Sequence, residues 1–408
     1  MVLPSRGLKN IGAQLMKKKT LVRLAVVAIA SALVVPAGIV PATSAPADIK
    51  VGVITSQTGA LKSYGDAYVA GLEWGLKYFT KGTMKVDGAK IVLTKKDDGV
   101  PAGGDPAAAT AFFKDMVANG TKIVVGTASS AVGATLAPLA QQNKVLYISG
   151  PAKADAITSA TNKYVFRSGN TSIQDFAPLA ALPRLNGKRI TILVEDNTFG
   201  LGNLLAAKAV LAPKGAVLTE IKASTTTTEF TPVAKQILDS NAAYVFIAWA
   251  NPATAVTLLT TLKQQGVWKN SIPVTALAGV ATYDFYGALL DGQNALLTNS
   301  YFPGVANTSV AAALASDYEK AGQTQDLFTP DGVNAAQMII RAIKGNSGMN
   351  VDKAITNLEG YSFIGLKGQI TVDATKHILV QPMYFVTLVK SGSHYTPKLL
   401  RVLQKVTA

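Results

Sequence analysis

The sequence has no cysteine and only two histidines, His377 and His394, among its 408 residues. The absence of cysteine excludes disulfides, zinc–thiolate sites, cysteine nucleophiles and a lipid-bearing cysteine anchor. Two histidines are too few for a typical zinc site, and both lie near turn residues, so we expect each to be a solvated surface side chain. The sequence therefore lacks the residues that most metal sites and thiol chemistry require.

Motifs of common enzymes are also missing. No G-x-S-x-G turn surrounds a serine, and no G-x-x-x-x-G-K-[ST] loop is present. The segment FGLGNLL at 199–205 matches the first two glycines of a dinucleotide-binding turn, but Leu205 occupies the third glycine position. An NAD-dependent or hydrolytic enzyme is therefore a weak alternative, and we expect no catalytic residue and no cofactor.

Residues 1–47 differ from the rest of the chain. A basic segment, MKKKTLVR at 16–23, precedes the apolar run LAVVAIASALVV at 24–35, and small residues with proline follow. This three-part pattern predicts a secretory signal peptide, with residues 1–15 as extra residues ahead of it. The alternative, an uncleaved membrane anchor, is disfavoured by Pro36, Gly38 and Pro41. Cleavage would leave a protein of the periplasm.

The net charge of +15 is concentrated in part at the N-terminus. Six basic residues lie within the predicted signal peptide, and their removal leaves 33 lysines and arginines against 24 acidic residues. No dense basic block or aromatic–basic motif remains. The charge therefore indicates a solvated basic surface and argues against nucleic acid as a partner.

From Asp48 onward, short apolar runs alternate with helical patterns. A typical helix start is Asp105 followed by Pro106, a capping residue and a proline at the first helical position. Strand-like runs occupy residues 48–55, 90–98, 122–126, 145–150, 189–196, 216–222, 243–249 and 272–277. The alternation predicts an α/β fold, and a break near 166–175 divides it into two doubly wound lobes. The tail at 368–392 is predicted to form two extended segments.

A serine pair, Ser129 and Ser130, follows the strand-like run 122–126 and precedes a helix expected to start near Ala131. A nucleophilic role lacks a histidine partner. Two interpretations remain. Ser130 is a plain N-cap, or its hydroxyl and the unpaired N–H groups of the helix N-terminus together bind a carboxylate.

Several segments, taken together and in order, resemble a known family. The segments are DIKVGVITSQTGALKSYGDAYVAGLEWGL (48–76), GTASS (126–130), VLYISGPAKADAIT (145–158), YVFR (164–167), VEDNTFGLG (194–202) and GQITVDATKH (368–377). They resemble the branched-chain amino-acid type, or leucine-binding protein family, of extracytoplasmic solute-binding proteins of ABC transporters.

The resemblance implies a type I periplasmic binding protein fold, in which a three-crossing hinge joins two lobes that close on a solute. It implies an N-lobe of residues 48–167 plus 300–376 and a C-lobe of 168–299 plus 377–408. It also implies a monomer that delivers a small carboxylate-bearing molecule to the membrane permease subunits of an importer. A ligand-sensing receptor domain of the same fold is the alternative from another functional class.

The resemblance also places candidate ligand-binding residues around the pocket. They are Tyr64, Ser129, Ser130, Gly150, Lys153, Gln174, Phe199 and Trp249. Two departures from the family pattern affect the ligand. Lys153 stands where a threonine is usual, and Ala278 stands where amino-acid binders have an acidic residue for the ligand ammonium.

These departures leave two interpretations of the ligand. A buried ammonium without an anion costs several kcal/mol, so the loss of the acid favours a carboxylate without an α-amine, either aromatic or branched. The other interpretation is that Asp175, Glu195 or Asp196 supplies the missing charge to an ordinary amino acid. Lys153 either assists an anion or points into solvent.

Overall fold

The structure, a computed structural model, describes residues 46–99 and 103–407, so the predicted signal peptide lies almost entirely outside the described residues. The strands are β1 (Ile49–Thr55), β2 (Lys85–Val86), β3 (Ala89–Asp97), β4 (Ile123–Gly126), β5 (Leu146–Ser149), β6 (Val165–Arg167), β7 (Arg189–Glu195), β8 (Val217–Ala223), β9 (Tyr244–Ala248), β10 (Ile272–Thr275), β11 (Leu296–Leu297), β12 (Ser362–Gly365), β13 (Gly368–Val372), β14 (Leu379–Ser391) and β15 (His394–Val406). The α-helices are α1 (Lys62–Phe79), α2 (Pro106–Ala118), α3 (Ser130–Asn143), α4 (Ser172–Ala180), α5 (Thr198–Leu211), α6 (Thr231–Ser240), α7 (Pro252–Gln264), α8 (Tyr283–Leu290), α9 (Ser309–Lys320), α10 (Thr329–Ile343) and α11 (Val351–Leu358).

The first sheet has the strand order β2-β3-β1-β4-β5-β6. All its pairings are parallel except the short β2–β3 pair. Its central strands β4 and β5 are buried along their whole length, as is typical of a parallel sheet with helices on both faces. Helix α2 starts as predicted, since the Asp105 side chain accepts hydrogen bonds from the N–H groups of Ala107 and Ala108.

The second sheet repeats this arrangement. Strands β8, β7, β9, β10 and β11 follow the order that β3, β1, β4, β5 and β6 show in the first sheet, and they pair in parallel. The long strand β14 joins this sheet antiparallel to β11 and pairs with β15 and β13. The predicted α/β architecture and the two extended segments in the tail are confirmed.

Separate hydrophobic cores accompany the two sheets. One contains buried residues from 49–166 and 335–379, and the others around the second sheet draw on 176–302 and 384–386. The lobe boundaries given above stay a prediction. Among the described residues no helix is long and apolar enough to cross a membrane.

The prediction for His377 is wrong, because this side chain is buried where the tail returns to β6. Its ring stacks on Phe166 with centroids 3.9 Å apart, and Nδ1 lies 3.2 Å from the carbonyl oxygen of Val165. The carbonyl of His377 also accepts a hydrogen bond from the Arg167 N–H. His394 is exposed as predicted and pairs with Asp284.

Helices α1 and α10 pack closely through glycine. A Cβ on Gly71 would lie 2.2 Å from the Thr329 carbonyl oxygen, and one on Gly332 would lie 2.0 Å from that of Tyr68. This contact fixes the start of α10 against α1. It thereby places Phe328, just before α10, beside Tyr64 of α1, with ring centroids 4.9 Å apart.

We therefore expect Gly71→Ala to destabilise the protein by about 1–3 kcal/mol, because overpacking exceeds the gain in helix propensity of about 1 kcal/mol. Urea denaturation would measure the loss. Gly348→Ala is the control, since nothing lies within 4 Å of a Cβ built there. Equal stabilities of the two variants would contradict the close packing.

Candidate functional site

A cleft of about 120 Å³ is lined by residues that follow strands of both sheets. Leu61 follows β1, Ser130 follows β4, Asn197 follows β7 and Asn251 follows β9. The strand order reverses between β1 and β4 in the first sheet and between β7 and β9 in the second. Ligands of open α/β sheets bind at such switch points. The cleft therefore combines the switch-point crevices of the two sheets.

The serine pair lies at the start of α3. The helix begins at Ser130, and the Ser129 side chain caps it by accepting a hydrogen bond from the Val132 N–H at 3.4 Å. The interpretation of Ser130 as the N-cap is therefore wrong by one residue. The Ser130 Oγ instead accepts a hydrogen bond from the Ala154 N–H at 3.3 Å.

Both serines line the cleft and are at most 5 % exposed. Each hydroxyl oxygen accepts one of these bonds, and among the described residues neither O–H has an acceptor, so both can donate to a ligand. The N-terminus of a 14-residue helix adds unpaired N–H groups and a partial positive charge. This wall of the cleft suits an anion.

Lys153 also lines the cleft, but it is 2 % exposed and does not point into solvent. Its ammonium lies 2.9 Å and 3.1 Å from the two carboxylate oxygens of Asp175 and donates to the Ala276 carbonyl at 3.2 Å. It also lies 5.7 Å from the centroid of the Phe328 ring. Lys153 thus links the loop after β5 to α4 and to the end of β10.

The backbone of this loop is held by buried donors. Arg167, fully buried, donates from Nη1 to the Ala154 carbonyl at 2.9 Å and from Nη2 to the Ala152 carbonyl. The Ser172 N–H donates to the Lys153 carbonyl at 2.9 Å. These bonds, with that from Ala154 to Ser130, fix Lys153 and the serine pair relative to each other.

Glu195, at the end of β7, is a buried carboxylate that lines the cleft. Its Oε1 accepts hydrogen bonds from the N–H groups of Ala250 at 3.0 Å and Asn251 at 2.8 Å, and its Oε2 accepts one from Asn197 at 3.0 Å. Burial raises the pKa of Glu195, and these hydrogen bonds oppose the rise.

The other acidic side chains considered from the sequence do not face the cleft freely. Asp175 is committed to Lys153 and also accepts a hydrogen bond from Asn170. Burial raises the pKa of Asp175 to about 6 although Lys153 opposes the shift. Asp196 is exposed and does not line the cleft, and Ala278 is buried in the core of the second sheet.

Aromatic rings form the apolar walls. Tyr64, Phe199 and Phe328 line the cleft, and the Tyr64 hydroxyl donates to the Ala250 carbonyl at 3.2 Å. Trp249 does not line it. Its ring packs edge-on against Phe230 in the core, and its Nε1 donates to Thr254.

Two further predicted residues lie outside the lining. Gln174 completes a capping box with Thr171 and donates to the Leu379 carbonyl at 2.7 Å, so it ties α4 to β14. Gly150 packs against Ser168, while its neighbour Pro151 lines the cleft. The cleft thus brings together Tyr64, Ser129, Ser130, Lys153 and Phe199 of the eight candidates.

Sequence reasoning missed Phe328 and did not place Asn197, Thr225 or Leu277 in the site. Phe328 precedes a helix. The expectation that ligand-binding residues follow the carboxyl ends of strands therefore does not select it. For Glu195 the sequence predicts only a possible counter-charge for a ligand ammonium. Its position at the end of an apolar strand was the available signal.

A further buried carboxylate, besides those of Glu195 and Asp175, belongs to Asp331 of α10. Asp331 is 1 % exposed, and within residues 46–99 and 103–407 neither of its oxygens has a hydrogen-bond partner. Its Oδ2 lies close to the Gly169 backbone. Burial raises the pKa of Asp331, and the cations of Lys367, Lys153 and Arg167 oppose the rise.

We expect Asp331→Asn to become more stable relative to the wild type as pH rises from 5 to 8. The folded-state pKa lies above the unfolded value of about 3.9, so the folded protein binds more protons, and ionisation of Asp331 costs stability as pH rises. Urea denaturation at both pH values would measure this. Exposed Asp48 offers the control Asp48→Asn. If the difference in unfolding free energy between Asp331→Asn and the wild type did not change with pH, the raised pKa of Asp331 would be refuted.

Comparison with known proteins places these observations in a family. Residues 48–393 match the family described as periplasmic binding protein. The chain is 25 % identical over 399 residues to Leu/Ile/Val-binding protein homolog 6 of Brucella suis, covering 94 % of this chain and 96 % of that protein.

Solved structures give a matching result. An ABC-type branched-chain amino acid transporter protein from Rhodopseudomonas palustris CGA009 is 29 % identical, with a TM-score of 0.74, and covers 88 % of this chain and 97 % of its own. A solute-binding protein of an ABC transporter from Rhodopseudomonas palustris HaA2, in complex with p-hydroxybenzoic acid, has a TM-score of 0.78 at 21 % identity, with the same coverage. The second likeness is one of fold.

Proposed function

Since the chain belongs to the periplasmic binding protein family, we propose that it captures a small carboxylate-bearing solute in the cleft and delivers it to an ABC importer. It is a solute-binding protein rather than an enzyme, as are the proteins it matches. The permease subunits of that importer are its proposed partners. Hinge closure over the solute is the proposed motion.

The proposal includes the organisation of the chain. Residues 1–47 are removed as a signal peptide, and the remainder works in the periplasm as a monomer. The lobes comprise 48–167 plus 300–376 and 168–299 plus 377–408. The separate cores of the two sheets support this division.

The proposed solute is an acid without an α-amine, and the Lys153–Asp175 pair is the observation that carries this choice. The Lys153 ammonium, which lines the cleft, is paired with the Asp175 carboxylate. A ligand ammonium here would add a second cation beside Lys153, and among the described residues that line the cleft the only carboxylate is Glu195, at the end of β7. The cost of such an unpaired cation is several kcal/mol. A bare carboxylate instead meets the serine hydroxyls and the start of α3.

A thermal-shift screen tests the ligand class directly. We expect 4-methylpentanoate or benzoate to stabilise the protein, since a ligand at 100 times its dissociation constant adds about 2.7 kcal/mol. Leucine, which carries the amine, should give a much smaller shift. Strong stabilisation by leucine with none by 4-methylpentanoate would reject the acid and make Glu195 the partner of an ammonium.

The serine wall can be tested by Ser130→Ala. We expect affinity for the acids to fall about tenfold or more, because a hydrogen bond to a charged group contributes about 1.5–3 kcal/mol. We also expect a loss of stability of about 1–3 kcal/mol, because the buried Ala154 N–H loses its acceptor. Calorimetric titration and thermal melts measure the two effects.

Asn350→Ala is the matched control for that experiment. Asn350 caps α11, which does not line the cleft, by accepting a hydrogen bond from the Lys353 N–H at 2.9 Å. This variant should lose about 1 kcal/mol of stability and keep its affinity. If Ser130→Ala behaved in the same way, Ser130 would have a structural role alone.

A further inference from the structure

We propose that Glu195 sets a second requirement for the solute: a hydroxyl group at the end opposite its carboxylate, on an aromatic ring. This inference rests on the proposed function, because it takes the serine wall as the carboxylate site. Glu195 would recognise this hydroxyl by accepting a hydrogen bond from it.

Position is the first argument. Glu195 ends a strand of the second sheet, whereas Ser129 and Ser130 follow a strand of the first, and all three line the same cleft. A ligand anchored by its carboxylate on the serine wall therefore presents its other end towards the wall that carries Glu195.

Unused hydrogen-bonding capacity is the second argument. An ionised carboxylate offers about four lone-pair sites, and three are taken by Ala250, Asn251 and Asn197. The remaining site belongs to Oε2, and no donor from residues 46–99 or 103–407 occupies it. A buried acceptor of this kind on a cavity wall favours a ligand donor and penalises a ligand that leaves it unpaired.

Charge decides between a hydroxyl and an ammonium as that donor. The N–H groups of Ala250 and Asn251 lie at the N-terminal end of the 13-residue helix α7, so its partial positive charge already compensates the Glu195 carboxylate. A neutral hydroxyl completes the hydrogen bonds without a second buried charge. An ammonium would have to lose its hydration for an anion that these N–H groups and the helix end already stabilise in part.

The cleft also has aromatic walls. Its lining includes Tyr64, Phe199 and Phe328, with Leu277 and Pro151. Flat apolar walls between two polar ends match a ring with a carboxylate on one side and a hydroxyl on the other. The ligand class is therefore a hydroxylated aromatic acid.

Titration calorimetry of the wild-type protein with 4-hydroxybenzoate, 4-methylbenzoate and benzoate tests this without any variant. The methyl compound matches the hydroxyl compound in shape but cannot donate. We expect 4-hydroxybenzoate to bind about tenfold or more tightly than either of the others. In Glu195→Met, whose side chain has a similar length but lacks the carboxylate acceptor, the preference for 4-hydroxybenzoate over 4-methylbenzoate should fall to within about twofold.

The outcomes separate this inference from the proposed function. Equal affinities of the wild type for the three benzoates, or binding of aliphatic acids alone, would overturn the role of Glu195 and leave the acid-binding function standing. A preference that survives in Glu195→Met would also overturn it. If neither the benzoates nor 4-methylpentanoate bound, the proposed function itself would fail.

Discussion

The site depends on one buried ion pair, Lys153 with Asp175. Taking two charges out of water is costly, so such a pair persists only with close geometry and further hydrogen bonds. Both conditions hold, since the carboxylate also accepts from Asn170 and the ammonium also donates to Ala276. The pair joins the loop after β5 to α4 and β10. It sets the charge of the cleft as well as its shape.

The rest of the cleft follows from this constraint. Arg167 and Ser172 hold the loop backbone, so that the Ala154 N–H donates to the Ser130 hydroxyl oxygen. The Ser130 O–H can then donate to an anion. The N-termini of two helices contribute differently to the cleft. The start of α3 lines the cleft, whereas the N–H groups at the start of α7 donate to the Glu195 carboxylate. The cleft thus combines an anion-binding wall with a hydrogen-bond acceptor.

Much of this could be predicted from the sequence, and the failures have physical causes. Strand and helix periodicity gave the α/β fold, and ordered motifs gave the family, because both depend on local patterns. The pairing of Lys153 with Asp175 depends on how two distant segments fold together, so sequence alone left Lys153 either assisting an anion or in solvent. Trp249 and Gln174 stand next to strand ends and helix starts, but they turn towards the core and β14. Phe328 enters the cleft only through the glycine packing of α1 and α10.

The most direct test of this account is a crystal structure of the protein with the solute that it retains from the cell that expressed it. We expect a carboxylate against Ser129 and Ser130, no nitrogen on the neighbouring carbon, and an intact Lys153–Asp175 pair. A ligand α-ammonium bonded to Asp175 or Glu195 would contradict it.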